Sequence, residues 1–105
     1  MLADPPDTGA SAERDQQALE LRLKGRAFST IAAELGMDRS SDANLAFNRA
    51  LRRQPVVARD EIRAGENRRL DRLAVAVRAN GSLAEEEAAK RLHAIELLRA
   101  RLMAD

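Results

Sequence analysis

Apolar residues recur along this chain at intervals of three and four, the spacing that keeps side chains on one face of a helix. The clearest run is the last one, where Ala88, Leu92, Ile95, Leu98 and Leu102 are spaced 4, 3, 3 and 4. Ser82 with Glu85 fits a capping box at its head, and Asn80 and Gly81 supply a turn before it. The preceding helix is predicted from Val56 to about Ala79, roughly 24 residues or ~36 Å if unbroken, with Leu70, Leu73, Ala74 and Val77 along it and a kink permitted at Gly65. Two long helices joined by so short a turn predict an antiparallel hairpin.

Three shorter helices precede it. The first is predicted over Ala12–Lys24, with Ser11 as N-cap, Gly25 as the stop, and a stripe of Ala12, Leu19 and Leu23 interrupted by Gln16. The second is predicted over Thr30–Leu35, capped by Ser29 and ended by Gly36, with Ile31, Ala32 and Leu35 pointing one way. The third is predicted over Asp42–Arg53, capped by Ser40 or Ser41, with Ala43, Phe47, Ala50 and Leu51 on one face. Pro55 closes that unit because it forces Gln54 out of helical geometry. Residues 1–11 hold Pro5, Pro6 and Gly9 with almost no apolar side chains, which predicts a disordered tail. The expected domains are therefore 12–54 and 55–105.

Composition narrows the class. Ala (21), Arg (16) and Leu (14) dominate while Val, Ile and Thr together number 9, a balance that favours an all-α protein. Leu, Ile, Val, Met and Phe make up only 26 of 105 residues, so the core is thin or shared with a partner chain. The chain has no Cys and one His, which excludes disulfides, thiolate metal sites and a cysteine nucleophile. His93 has only Lys90, Glu86 and Glu96 as helical neighbours, too little for a metal or acid–base site. Glu85, Glu86 and Glu87 suit the positive end of a helix dipole. No Gly-rich phosphate loop is present. An enzyme is not expected, nor any cofactor or metal. No apolar run approaches the ~20 residues of a membrane span, and no signal pattern opens the chain, so a cytoplasmic location away from membranes is expected.

The formal net charge of +1 is unevenly spread. Residues 1–38 sum to −3, residues 39–78 to +5 and residues 79–105 to −1. A basic middle block is the electrostatic footprint of a nucleic-acid binder, although Asp60, Glu61 and Glu66 interleave with Arg59, Arg63 and Arg68 as on a solvated, ion-paired surface. The 16 Arg against 2 Lys read most economically as the coding bias of a GC-rich genome.

The segment ALELRLKGRAFSTIAAELGMDRSSDANLAFNRALRR, Ala18 to Arg53, resembles a helix-turn-helix. Small Ala32 stands where two helices approach, Leu35 in the core, Gly36 in the turn and apolar Met37 after it. A helix ending KGRAF before IAAELGM, followed by one ending NRALRR, is similar to small helix-turn-helix proteins of actinobacteria and their phages, including small terminase subunits and short transcriptional regulators. An ungapped alignment puts Asp42 where the motif has a buried aliphatic; a recognition helix beginning one residue later lets Ala43 fill that site.

The resemblance implies a three-helix helix-turn-helix domain followed by the long hairpin, with double-stranded DNA as partner and the third helix in the major groove. Arg39, Ser40, Ser41, Asn44 and Asn48 lie off the apolar face, and Arg and Asn suit bidentate contacts to guanine and adenine. Arg49, Arg52, Arg53 and Arg26 are better placed for phosphates. The plainer use of the serines is helix capping, and of the asparagines exposure to water. In the hairpin, Leu92, Ile95, Leu98 and Leu102 on one side leave Leu97, Ala94 and Leu83 partly on another, more apolar surface than one facing helix covers, so a homo-oligomer, dimer or higher, is expected, joined through Leu92, Ile95, Leu98 and Leu102 with Leu73 and Val77. The other reading is a helical adaptor that grips a protein partner without specific DNA binding.

Overall fold

The computed structural model describes residues 9–105, so the tail expected over 1–11 lies outside the described residues as far as residue 8. The described chain is all-helical, with α1 (Gly9–Leu23), α2 (Phe28–Glu34), α3 (Ser40–Arg52), α4 (Val56–Ala79) and α5 (Glu85–Met103). Its contacts fall into two units, one ending at Gln54 and the other starting at Pro55. None of the helices is long and apolar enough to cross a membrane.

In the first unit α1, α2 and α3 pack on one another. Ala18, Ala43, Ala46 and Ala50 are fully buried, and these small side chains let the helices approach closely around Leu19, Ile31, Phe47 and Leu51. Both helix stops are Schellman motifs built on a glycine with positive φ. Gly25 (φ +91°) donates to Arg22 O while Arg26 N donates to Leu21 O, and Gly36 (φ +69°) donates to Ala33 O while Met37 N donates to Ala32 O. Met37 then packs against the core cluster that contains Ala32, the apolar contact that accompanies this motif.

The helix starts differ from expectation. Ser11 lies inside α1, because the Ala-rich start GASA continues the helical backbone to Gly9. Ser29 does not cap α2: the helix begins at Phe28 after an extended Ala27, and no side chain caps it. Packing decides this start. The Phe28 ring meets Phe47 edge-on at 5.5 Å, and the Arg22 guanidinium lies 4.0 Å from its centroid. The buried face of α1 is also rotated from the expected stripe: Asp15, Ala18, Leu19 and Arg22 are buried, whereas Ala12 and Leu23 are exposed and Gln16 is half-buried.

In the second unit α4 and α5 pack together, and side-chain bonds set their direction. Arg63 reaches Leu102 O, while Arg99 reaches Asn67 and Asp71, so α5 returns along α4. The link between them is not a Ser82–Glu85 capping box. Asn80 holds it, its Oδ1 accepting from Ser82 N at 3.0 Å and its carbonyl from Leu83 N at 3.2 Å, and Ala84 is the uncapped N-cap of α5. Leu70 and Ala74 on α4 and Ile95 and Leu102 on α5 are the unit's buried apolar residues.

The helix α4 runs unbroken through Gly65. A Cβ there would meet only the end of the Arg68 side chain, at 3.8 Å, an ordinary contact. Gly65→Ala is therefore expected to stabilise this unit by about 0.5–1 kcal/mol, by reducing the freedom of the unfolded chain. A urea titration followed by circular dichroism checks it, and a lower midpoint would count against an unkinked helix at this position.

Candidate nucleic-acid interface

The turn between α2 and α3 covers residues 35–39 and is fixed at both ends. Gly36 closes α2, and Asp42 opens α3 by accepting a bond from Arg39 N at 3.2 Å while its own N–H donates to Arg39 O at 3.0 Å. Arg39 is thus the N-cap, not Ser40 or Ser41, which lie in the first turn of the helix. Asp42 stands where the sequence pattern suggested a buried aliphatic; the aliphatic role passes to Ala43, which is fully buried.

From this start α3 turns Ala43, Ala46, Phe47, Ala50 and Leu51 into the core. The opposite stripe carries Ser41, Leu45, Arg49 and Arg52, spaced 4, 4 and 3. Leu45 and Arg52 are exposed and Ser41 is half-buried. Around the stripe, Arg39 and Ser40 are exposed at its head, and Arg26 is exposed before α2. Of these, Arg26, Arg39, Ser40, Ser41 and Arg52 were anticipated as contact residues from the sequence, and Leu45 was not.

Asn44 and Asn48 are not among them. They are 5% and 2% exposed, so neither amide meets a base edge in this conformation. The buried arc of α3 is wider than its apolar residues alone imply, and it takes in the two amides on its flank. Asn48 Nδ2 donates to Asn44 O at 3.1 Å, with Asn44 Oδ1 at 3.4 Å, and Asn48 Oδ1 is buried with no hydrogen-bond partner.

Arg49 and Arg53 are also committed inside the unit. Arg49 grips the Asp15 carboxylate with Nε and a terminal nitrogen, both at 3.0 Å, and Arg53 adds a third bond at 3.1 Å. Asp15 is buried, whereas each arginine side chain is 48% exposed. The hydrogen bonding that Arg49 donates to the Asp15 carboxylate raises the Arg49 pKa above its already high ordinary value, against the opposing pull of burial. A raised pKa contributes stability that is lost only as pH climbs through it, so Arg49 gives the fold no pH dependence in any ordinary buffer. Asp15→Ala should cost about 1–2 kcal/mol, since three charge-assisted bonds vanish but both guanidinium groups can rehydrate. Thermal melts would check this, and an unchanged midpoint would remove Asp15 from the set of residues that hold α1 to α3.

The stripe is bordered by an open groove lined by Arg14, Gly36, Met37, Asp38, Asp42, Leu45 and Arg49. Arg14 bridges back to Leu35 O at 2.8 Å. Asp38 and Asp42 put negative charge beside the first turn of α3, in the same groove as Arg14 and Arg49. Among the described residues no group of three His, Cys, Asp or Glu is placed to hold a metal ion.

The second candidate surface is divided. Of the residues expected to join copies, Ile95 and Leu102 are buried, Leu92, Leu98 and Val77 are half-buried, and Leu73 is exposed. Leu97, on the second apolar side of α5, is exposed, and Val75 and Met103 add exposed apolar surface that the sequence did not single out. No protein-family model, curated protein or solved structure matches the chain.

Proposed function

We propose that the chain binds double-stranded DNA through a helix-turn-helix made of α2, the turn over 35–39 and α3, and that the hairpin of α4 and α5 joins copies into a dimer or higher oligomer. The observation that carries the reading is the pairing of that glycine-closed turn with a 13-residue helix that buries one face in its own unit and keeps Ser41, Leu45 and Arg52 on the other. A helix so held can enter a major groove, with Arg39 at its head offered to a base edge and Arg26 and Arg52 meeting phosphates. Association through the hairpin would bring two such helices to two half-sites. The resemblance to small helix-turn-helix proteins supports a role in transcription control or in DNA packaging as a small terminase-like subunit. Oligomer mass separates these, a ring of many copies favouring packaging and a dimer favouring regulation. A non-enzymatic role without cofactor is part of this proposal.

One observation favours the adaptor reading instead. Asp15 engages Arg49 and Arg53, which removes two cations from the basic block. Fluorescence anisotropy against genomic fragments at low and physiological salt, with recovery and sequencing of what stays bound, tests the two. Enrichment of a motif at physiological salt supports DNA reading. On that reading Arg26→Ala and Arg52→Ala each lower the slope of log K against log salt by ~1 without changing the motif. Binding that vanishes with salt and enriches nothing favours the protein partner.

A further inference from the structure

The solvent-facing stripe of α3 has an apolar side chain at its centre, where a base-reading helix ordinarily offers hydrogen-bond donors. Leu45 is 40% exposed, one turn after Ser41 and one turn before Arg49. The amides that would have read adenine, Asn44 and Asn48, are turned into the unit. Arg49, the next side chain along the stripe, has Nε and one terminal nitrogen bonded to Asp15, which occupies the side-on fork of its guanidinium. The charges that line the groove beside Leu45, Asp38 and Asp42 with Arg14 and Arg49, are of both signs and favour neither a phosphate nor a cation there. Leu45 itself offers no hydrogen bond, so the group it can select is apolar. In the major groove, one base edge has that character, the C5-methyl group of thymine.

We propose that Leu45 is a specificity-determining residue that packs on a thymine methyl group at the centre of the half-site. This rests on the DNA-binding reading above and names what that surface selects. Recognition at this position then comes from excluding water between two apolar groups, not from a bidentate hydrogen bond. Burying one methyl group corresponds to about fourfold in affinity.

The test uses the full chain and the motif recovered by sequencing. Each thymine of the motif is replaced in turn by deoxyuridine, which removes the methyl group and leaves base pairing intact, and binding is measured for the wild type and for Leu45→Ala. The expected result is a loss of about fourfold at one position for the wild type and no loss at that position for Leu45→Ala. Leu45 is on the surface, so the variant should melt with the wild type, and circular dichroism confirms that before binding is compared. A motif without thymine overturns the assignment, as does uniform tolerance of deoxyuridine or equal sensitivity in Leu45→Ala; in each case DNA reading itself stands. No enriched motif at all overturns both.

Discussion

Replacing Phe47 by alanine is expected to lower the unfolding free energy of the first unit by about 3–5 kcal/mol, the largest loss any single side chain of that unit should cause. Phe47 is 1% exposed and is among the unit's largest fully buried side chains. Ala43, Ala46 and Ala50, buried on the same helix, are already at minimum size and offer little to fill the space it would leave. The loss also propagates. Phe28 packs edge-on against Phe47, and Arg22 covers Phe28 while its NH1 donates to Arg26 O at 3.0 Å, so α2 and the stop of α1 depend on the same ring. Small domains have about 5–15 kcal/mol in all, and a unit of three short helices belongs at the low end, so the variant should be largely unfolded at room temperature. Urea titration followed by far-ultraviolet circular dichroism measures the effect. A loss below about 1.5 kcal/mol would mean the site collapses onto smaller neighbours and that α2 is held by something other than this ring pair.

The same ring explains which parts of the structure were legible in the sequence. Ala43, Phe47, Ala50 and Leu51 announced the buried face of α3 because apolar residues at helical spacing have one good use. Gly25 and Gly36 announced two helix ends because each is required at a left-handed backbone position. Serine caps were a poor guide. Ser11, Ser29, Ser40 or Ser41, and Ser82 offer caps in the sequence, yet Ser11 lies inside α1 and the N-caps of α2, α3 and α5 are Ala27, Arg39 and Ala84. A cap contributes about 1 kcal/mol; half-buried Phe28 gains part of the about 1.5–3 of a fully buried phenylalanine and adds its contacts with the Phe47 ring and the Arg22 guanidinium, which together set the start of α2 over Ser29.

The candidate site was legible to the same extent and for the same reasons. Arg26, Arg39, Ser40 and Arg52 are exposed, as polar residues usually are. Asn44 and Asn48 depart from that rule, and no local pattern marks a buried amide. The fate of Arg49 and Arg53 was set by Asp15, 34 and 38 residues away, so a reading confined to neighbouring residues could not anticipate it. One signal was available: Asp15, Ala18, Leu19 and Arg22 share the spacing of a core stripe, and two opposite charges on such a stripe imply two partners elsewhere in the unit.

Arg63→Ala is expected to be the most damaging change in the second unit, at about 2–3 kcal/mol. Only four apolar residues are buried there, so a polar contact carries more of the stability than it would in a larger core. Arg63 is 9% exposed, and its Nε and one terminal nitrogen donate to Leu102 O at 2.8 Å and Ala104 O at 2.9 Å, with the Asp105 carboxylate 3.5 Å from the other. These carbonyls close α5, where the helix dipole is negative and no intrahelical donor remains, so one guanidinium supplies both the missing hydrogen bonds and the favourable charge. Burial of the long side chain adds packing, and the two contributions separate by substitution. Arg63→Met keeps most of the apolar stem and loses every donor, so it should lose nearly as much as Arg63→Ala if the bonds to the end of α5 are what matters. Amide hydrogen exchange gives the local readout: protection should fall first over residues 99–103, at the end of α5, and leave α1 to α3 unchanged. A methionine variant as stable as the wild type, with protection intact at that end, would reduce Arg63 to a space-filling side chain and shift the closure of α5 to Arg99 and its bonds to Asn67 and Asp71.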